Sequence, residues 1–381
     1  MGFWSSTKSR LKQSTAPVNP ERPPDNRDFN ACSNNDTSKG LLHLKPGDSL
    51  CDGRYTIKGK LGAGRYSSVW LAHDARTGKH VAVKVLNSDF CNGQYDLFEI
   101  DIMKRVAEIS VQSDHPGKQH VARMLDSFDH RSAAGQHTCI VMELLGTSIG
   151  EQTSRARRSR LSYNIARQIA RQLLEALDFL HAECGVLHTD IQPSNILVEL
   201  EDSEASVAEA LGKKGSAQGV KLSSPSVFEN NDVRIRLSDF GVACWVDRHL
   251  TDCIQPPLLR APEIDLGAPW DPSVDIYNLG CVIFESVTGN LPFPGRPARN
   301  GAWTAEDDRL ATLMDIFGSV PEIVLANASR SHEFFDSNRQ LRRTPQSGTR
   351  SPLEELVRTP PRRRRRRRSR SRGATTCPMR T

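Results

Sequence analysis

His188-Thr189-Asp190-Ile191-Gln192-Pro193-Ser194-Asn195, followed by the apolar run Ile196-Leu197-Val198, is the stretch around which the other motifs fall into place. It sets a carboxylate and an amide five positions apart on a short loop that runs into a strand. One such group can orient a hydroxyl nucleophile and the other can hold a metal ion, as a phosphoryl-transfer loop requires. Asp and Asn are also common turn formers, so the octet by itself also reads as a plain helix-to-strand turn. The flanking sequence has to decide.

The chain of 381 residues is long enough for two domains or one large two-lobed one, and 37% hydrophobic with 25% charged residues is ordinary for a soluble protein. Its net charge of +6 is unevenly spread. Residues 342–381 hold 14 Arg and 2 Glu, or +12, which leaves −6 for residues 1–341. An acidic body attracts a basic partner, and a basic tail can bind nucleic acid, an import receptor or the body itself. Nine cysteines (Cys32, Cys51, Cys91, Cys139, Cys184, Cys244, Cys253, Cys281 and Cys377) form no CxxC pair and follow no signal peptide, which fits reduced thiols in cytoplasm and nucleus. No run nears the roughly 18 apolar residues of a membrane span, so a soluble protein without a membrane partner is expected. Met1-Gly2 with Ser6 matches the minimal myristoylation pattern, but Phe3 and Trp4 follow the glycine and chance explains the match better.

Residues 1–48 are polar and rich in Ser, Asn, Pro and Arg, and read as a disordered arm. From Tyr55 the chain alternates apolar stretches with glycine turns: Tyr55-Thr56-Ile57, then Leu61 to Leu71 through Gly62 and Gly64, then His80-Val81-Ala82-Val83-Lys84-Val85. These predict three antiparallel strands. Leu97, Ile100, Met103 and Val106 predict an amphipathic helix over 94–110, and residues 121–128 and 138–145 predict two more strands. After an Arg-rich connection (Arg155, Arg157, Arg158, Arg160), Ile165, Ile169, Leu173, Leu177 and Leu180 mark a strong helix over 162–182 that delivers the chain to the octet. Strands at 195–198 and 233–237 flank a Ser-, Glu-, Lys- and Gly-rich insert, about 199–232, expected as a disordered excursion from a hairpin. Ser238-Asp239-Phe240-Gly241 and Arg260-Ala261-Pro262-Glu263 follow, then helices over 274–288 and 307–317. Arg362 to Arg368 is an unbroken run continued by Ser369-Arg370-Ser371-Arg372, which like-charge repulsion keeps disordered.

In order and context, the glycine loop, VAVK strand, helix with a glutamate, HTD…N loop, DFG and APE resemble a eukaryotic protein kinase. Within that class, HTDIQPSN, the run Asp239 to Val246, Asp252-Cys253-Ile254-Gln255, and Val274 to Cys281 resemble the SR-protein kinases, especially fungal forms; an insert after the catalytic loop is also their habit. The resemblance covers roughly residues 55–342. It implies an α+β, bilobal fold: an antiparallel sheet with one helix in a small lobe (49–145) and a mainly helical large lobe (146–341), with 342–381 as a basic tail.

The resemblance also implies the roles. Gly62 and Gly64 free backbone N–H groups to close over a triphosphate, with Ser67 at the third glycine position. Leu61, Ala63, Val69, Ala82 and Leu197 line the nucleotide, Met142 is the gatekeeper, and Glu143 with Leu145 form the hinge that reads adenine. Lys84 holds the phosphates, and its partner is expected to be Glu99 in preference to Asp96 or Asp101. Asp190 orients or deprotonates the substrate hydroxyl, and Asn195 with Asp239 holds Mg²⁺ against the phosphates of ATP.

Four departures qualify this reading. Thr189 replaces an arginine that usually clamps an activation-loop phosphate, which suggests activity without such phosphorylation. Gln192 stands where most serine/threonine kinases carry a lysine that touches the transferring phosphate, so charge is lost there. Glu263 usually pairs with an arginine from terminal helices, which the tail sequence does not resemble; a shortened large lobe with an unpaired Glu263 is expected. The tail is itself an Arg-Ser sequence, open to reading as a substrate mimic in cis, an import signal or translated non-coding sequence. Glu306, Asp307 and Asp308 suit either a dock for arginine-rich peptides or an ordinary helix start. The expected function is serine phosphorylation of Arg/Ser-rich proteins by a monomeric kinase. The rivals are a catalytically impaired scaffold and a protein that binds RNA or splicing factors through its tail.

Overall fold

The computed structural model describes residues 40–64, 66–90, 98–155, 160–212, 219–228 and 232–343. The N-terminal arm to residue 39, the Arg157-Arg158 pair and the arginine run lie outside them, as does Asp96.

Six strands form one antiparallel sheet in the order β1-β2-β3-β4-β6-β5: β1 (Ser49–Leu50), β2 (Tyr55–Ala63), β3 (Ser67–Asp74), β4 (Lys79–Leu86), β5 (Met124–Ser132) and β6 (Gly135–Met142). Successive side chains point to opposite faces of a strand. Val81, Val83 and Val85 of β4 therefore join Trp70, Ala72, Cys139 and Val141 in a closed apolar cluster on one face. Ala82 and Lys84 are left to the other face, toward the large lobe. The last two strands are displaced in opposite directions from their expected positions, β5 beginning at Met124 where the sequence predicts residue 121 and β6 ending at Met142 where it predicts residue 145. β5 is the sheet's edge and half exposed, so polar cross-strand bonds such as Thr138 Oγ1 to Asp129 Oδ1 (3.0 Å) replace the apolar pattern that periodicity detects.

Helix α1 (Glu99–Gln112) crosses behind the sheet and buries Ile102, Met103 and Val106. It begins five residues later than expected; residues 91–97 lie outside the described chain. After α2 (Ile149–Arg155), α3 (Tyr163–Asp178) starts at Ser162, whose Oγ accepts the Ile165 N–H at 3.3 Å and so satisfies an otherwise orphaned first-turn donor. Ile165, Ile169, Leu173 and Leu177 form its buried stripe. The helix widens over Phe179–Cys184, ends at left-handed Gly185 (φ 70°), and passes into β7 (Val186–Leu187). β8 (Ile196–Val198) pairs with β9 (Ile235–Leu237), and β10 (Cys244–Trp245) pairs with β7. Helices α5 (Pro262–Leu266), α6 (Ser273–Thr288), α7 (Ala305–Phe317), α8 (Glu322–Asn327) and α9 (Ser331–Phe334) complete the large lobe. Side chains of α1, α3, α6 and strands β7 to β9 share one core cluster, which ties the lobes together.

The insert requires a correction, because much of it is ordered. Residues 203–212 form helix α4 (Ser203–Gly212), and the chain returns along the hinge at 219–228. Its composition is polar, but three apolar side chains, Val207, Leu222 and Val227, are almost fully buried. Glu204 accepts the His80 backbone N–H at 2.8 Å, Val220 N–H donates to the Lys60 carbonyl at 2.7 Å, and Val227 N–H donates to Gln152 Oε1 at 2.9 Å. The insert thus touches β4, β2 and the large lobe. No helix among the described residues is long and apolar enough to cross a membrane, and no disulfide joins their cysteines.

Candidate active site

Lys84 projects from β4 into the cleft with its side chain nearly buried, and its Nζ lies 2.5 Å from Glu99 Oε1 and 2.9 Å from Asp239 Oδ1. Burial alone would lower its pKa, but the two carboxylates outweigh that and hold the ammonium well above its usual range. Of the competing acids, Asp101 is exposed on the far side of α1. The Lys84 charge in turn holds Asp239 below the usual carboxylate range.

Asp239 takes a left-handed backbone (φ 68°), which turns its carboxylate toward Lys84 while the next side chain, Phe240, points into the core. Phe240 is buried and meets His188 edge-on, with ring centroids 5.1 Å apart. A Cβ at Gly241 would lie 3.2 Å from Asp239 Oδ1 and 3.6 Å from Lys84 Nζ, tight enough to disturb the pair. A larger residue there would have to move the Asp239 carboxylate by a few tenths of an ångström.

The octet is held from below. Buried Asp275, on α6, accepts the backbone N–H groups of His188 (2.9 Å) and Thr189 (2.8 Å) and a bond from His181 Nε2 (2.8 Å). Thr189 (φ 63°) donates its hydroxyl to the Val242 carbonyl at 2.8 Å, so it tethers the segment after DFG directly. Asp190 accepts Gln192 Nε2 on both carboxylate oxygens, each at 2.9 Å, and Asn195 Nδ2 at 2.8 Å. Burial raises its pKa, opposed by His188 and by these amide donors. Gln192 therefore sits on the acid itself.

Above the loop, Ala82, Leu71, Leu144, Val207 and Leu222 form a cluster, with Leu61, Val69, Met142 and Val220 packed against it. Gly62 pairs with Val69 and Ala63 with Ser68 in the β2–β3 hairpin, and Gly64 N–H donates to the Ser67 carbonyl at 2.9 Å. Glu143 turns its carboxylate outward to Arg123 (3.0 Å), leaving its backbone and that of Leu145 at the hinge. Leu197, on β8, is half-buried below. Val207 and Leu222 escape sequence reading because they sit in a polar insert, and only their contact with the hinge reveals them. Asp275 lies in a quoted motif, but its anchoring bonds are long-range.

Of the three acids at the start of α7, Asp307 closes a capping box with Thr304, Glu306 approaches Arg309 at 3.5 Å, and Asp308 accepts the Arg296 N–H at 2.8 Å. All three have local structural work. Glu263 has no ion-pair partner among the described residues, and burial, with Asp271 and Asp265 nearby, raises its pKa.

Asp239 and Asn195 suit a hard divalent cation: a half-exposed carboxylate and an amide oxygen converge from two loops beside Asp190. No cluster of three His, Cys, Asp or Glu capable of holding a metal occurs among the described residues.

A lysine clamped between two carboxylates beneath a glycine hairpin, facing an acid and an amide on an anchored loop, defines a phosphoryl-transfer centre of the protein-kinase class. The chain belongs to the protein kinase domain family, which it matches over residues 55–360. It is 29% identical to the serine/threonine-protein kinase SRPK of Physarum polycephalum over 85% of this chain and 82% of that protein. The protein kinase dsk1 of Schizosaccharomyces pombe is 27% identical over 78% and 72% of the two chains, and the SRSF protein kinase 3 of Mus musculus 24% over 80% and 79%. It is a protein serine/threonine kinase of the SRPK type, and the kinase domain implies ATP and a divalent metal.

Proposed function

We propose that this kinase transfers the γ-phosphate of ATP, with Mg²⁺, to serines in Arg/Ser-rich proteins of the splicing-factor type. The observation that carries the transfer reading is the assembled constellation: Lys84 bonded to both Glu99 and Asp239, opposite Asp190 and Asn195. The substrate class is supported by the name of the mouse relative, an SRSF kinase, and by the acidity of residues 1–341.

In this reading Lys84 holds the phosphates while Glu99 fixes its position, and the Leu61, Val69, Ala82 and Met142 surfaces, with Leu145 and Leu197, enclose the base. Asn195 and Asp239 would ligate Mg²⁺, which neutralises phosphate charge and orients the transferred group. Asp190 accepts the hydrogen bond of the serine hydroxyl and takes its proton as the oxygen attacks. Thr189 and the β7–β10 pairing hold the segment after DFG without an added phosphate, which supports activity independent of loop phosphorylation. One feature favours a catalytically impaired scaffold instead: Gln192 occupies both oxygens of Asp190.

The test is phosphate incorporation into an Arg-Ser peptide with Mg-ATP, comparing the wild type with Asp239→Ala. Incorporation by the wild type alone supports transfer; equal incorporation by both leaves the scaffold reading standing. An Ala-Ser peptide of equal length tests the substrate class, which fails if both peptides are modified alike.

A further inference from the structure

Glu99 is the first residue of α1, so the carboxylate that grips Lys84 stands on the least supported turn of its helix. The first N–H groups of a helix have no partner within it, and the side chain of Phe98, the residue before Glu99, caps none of them. Ile102, Met103 and Val106 seat the helix in the core, but all three lie beyond Glu99. An uncapped end frays unless something outside the helix holds it.

What meets this end is the segment after DFG. The Phe98 ring is buried and tilts against Trp245, with ring centroids 6.4 Å apart. The Arg248 guanidinium lies over the same ring, its central carbon 4.5 Å from the centroid, within the range at which a cation is drawn to an aromatic face. Trp245 and Arg248 brace each other, since the Arg248 N–H donates to the Trp245 carbonyl at 3.3 Å. The turn they share is fixed to the large lobe on both sides. Trp245 pairs with Val186 of β7, and the Val246 N–H donates to the Gly185 carbonyl at 2.9 Å. Beyond the turn, His249 stacks on Trp270, with centroids 3.7 Å apart and ring planes 13° from parallel. Arg248 is thus presented from a rigid bracket on the large lobe to the residue that precedes Glu99 on the small lobe.

We propose that Arg248 is a positioning residue for the phosphate-binding pair: by holding Phe98 against the segment after DFG, it keeps Glu99 on Lys84. Correct placement of that segment is transmitted through Phe98 to the nucleotide site. The proposal rests on the reading that Lys84 holds the phosphates of ATP.

The test compares the full-length wild type with Arg248→Ala, Arg248→Lys, Phe98→Leu, Glu99→Gln and the combination of Arg248→Ala with Glu99→Gln. Two quantities are read, calorimetric affinity for Mg-ATP and hydrogen exchange over residues 98–104. Loss of an exposed cation–ring contact predicts about two- to fivefold weaker binding and equally faster exchange in Arg248→Ala. Arg248→Lys should stay close to the wild type, because an ammonium can sit over the same ring. Phe98→Leu keeps an apolar side chain in the core and should match Arg248→Ala. Since Arg248 acts through Glu99, its removal should cost no further affinity in the Glu99→Gln background. Wild-type affinity or wild-type exchange in Arg248→Ala overturns the proposal, and so does an equal loss of affinity in both backgrounds, which general loosening of the segment would produce. Arg248→Lys as weak as Arg248→Ala overturns the cation–ring basis. A chain that bound no Mg-ATP would remove the phosphate role of Lys84 and leave exchange to decide the contact, and neither quantity depends on peptide phosphorylation.

Discussion

Gln192→Lys is the substitution on which the catalytic reading turns. In the structure the Gln192 amide nitrogen is 2.9 Å from both oxygens of Asp190, and Asn195 Nδ2 is 2.8 Å from one of them. A lysine ammonium can reach the same place. At about 4 Å and an effective dielectric near 20, the attraction between ammonium and carboxylate is about 4 kcal/mol. Desolvation and the lost amide bonds offset much of that, leaving a net lowering of the Asp190 pKa. The direction is definite: Asp190 is raised by burial, and a cation favours its ionised form. The acid limb of the kcat profile should therefore move to lower pH. A charged donor facing the transferring phosphate is worth roughly 1 kcal/mol more than a neutral one, so kcat at neutral pH should rise about five- to tenfold. The assay is a pH profile of Arg-Ser peptide phosphorylation at saturating Mg-ATP. A lower or unchanged kcat with an unmoved acid limb, in a variant of wild-type melting temperature, would refute the reasoning and show a loop adapted to glutamine.

Asp265→Ala leaves the buried Arg309 guanidinium without its forked partner and should cost about 3–5 kcal/mol, lowering the melting temperature by roughly 10 °C; replacing both residues by apolar ones should recover much of the loss. Leu222→Ala opens the cluster between insert and hinge and should raise the KM for ATP about three- to tenfold with kcat little changed, because the insert packs against the residues proposed to enclose the base. Thr189→Val removes the bond to the Val242 carbonyl at nearly constant volume; kcat should fall severalfold, and an unaltered kcat would show that β7–β10 pairing alone holds the segment. Glu263→Gln bears on pH-dependent stability. Since the folded protein raises this pKa, its contribution is fully present below the unfolded value near 4.3 and fades as pH rises through the folded value. The substitution should therefore raise stability at pH 7 relative to pH 4.5 by thermal melts, and an equal change at both pH values would refute the assignment.

The chemistry was readable because kinase function concentrates in short, ordered motifs. Lys84, Glu99, Asp190, Asn195 and Asp239 are each set by local spacing, and strands β2 to β4 and helices α3, α6 and α7 follow from periodicities of two and 3.6. Edge strand β5 was misplaced because a half-exposed strand satisfies itself with polar pairs. The insert was misread because composition averages over a segment, whereas docking needs only three well-placed apolar side chains, Val207, Leu222 and Val227.

Sequence by itself thus determined the class of fold, the order of the motifs and which polar groups were expected in the cleft, since these depend on residue type and near-neighbour spacing. Tertiary structure alone decided what those groups touch. It placed Gln192 on Asp190, hung the catalytic loop from Asp275 some 86 positions away, tied Thr189 to Val242, folded the insert against the hinge and left Glu263 without a cation. Apart from the local Gln192–Asp190 bond, which the loop's own side-chain geometry sets, these arrangements involve segments distant in the chain and follow from how the lobes pack and from no pattern within either segment.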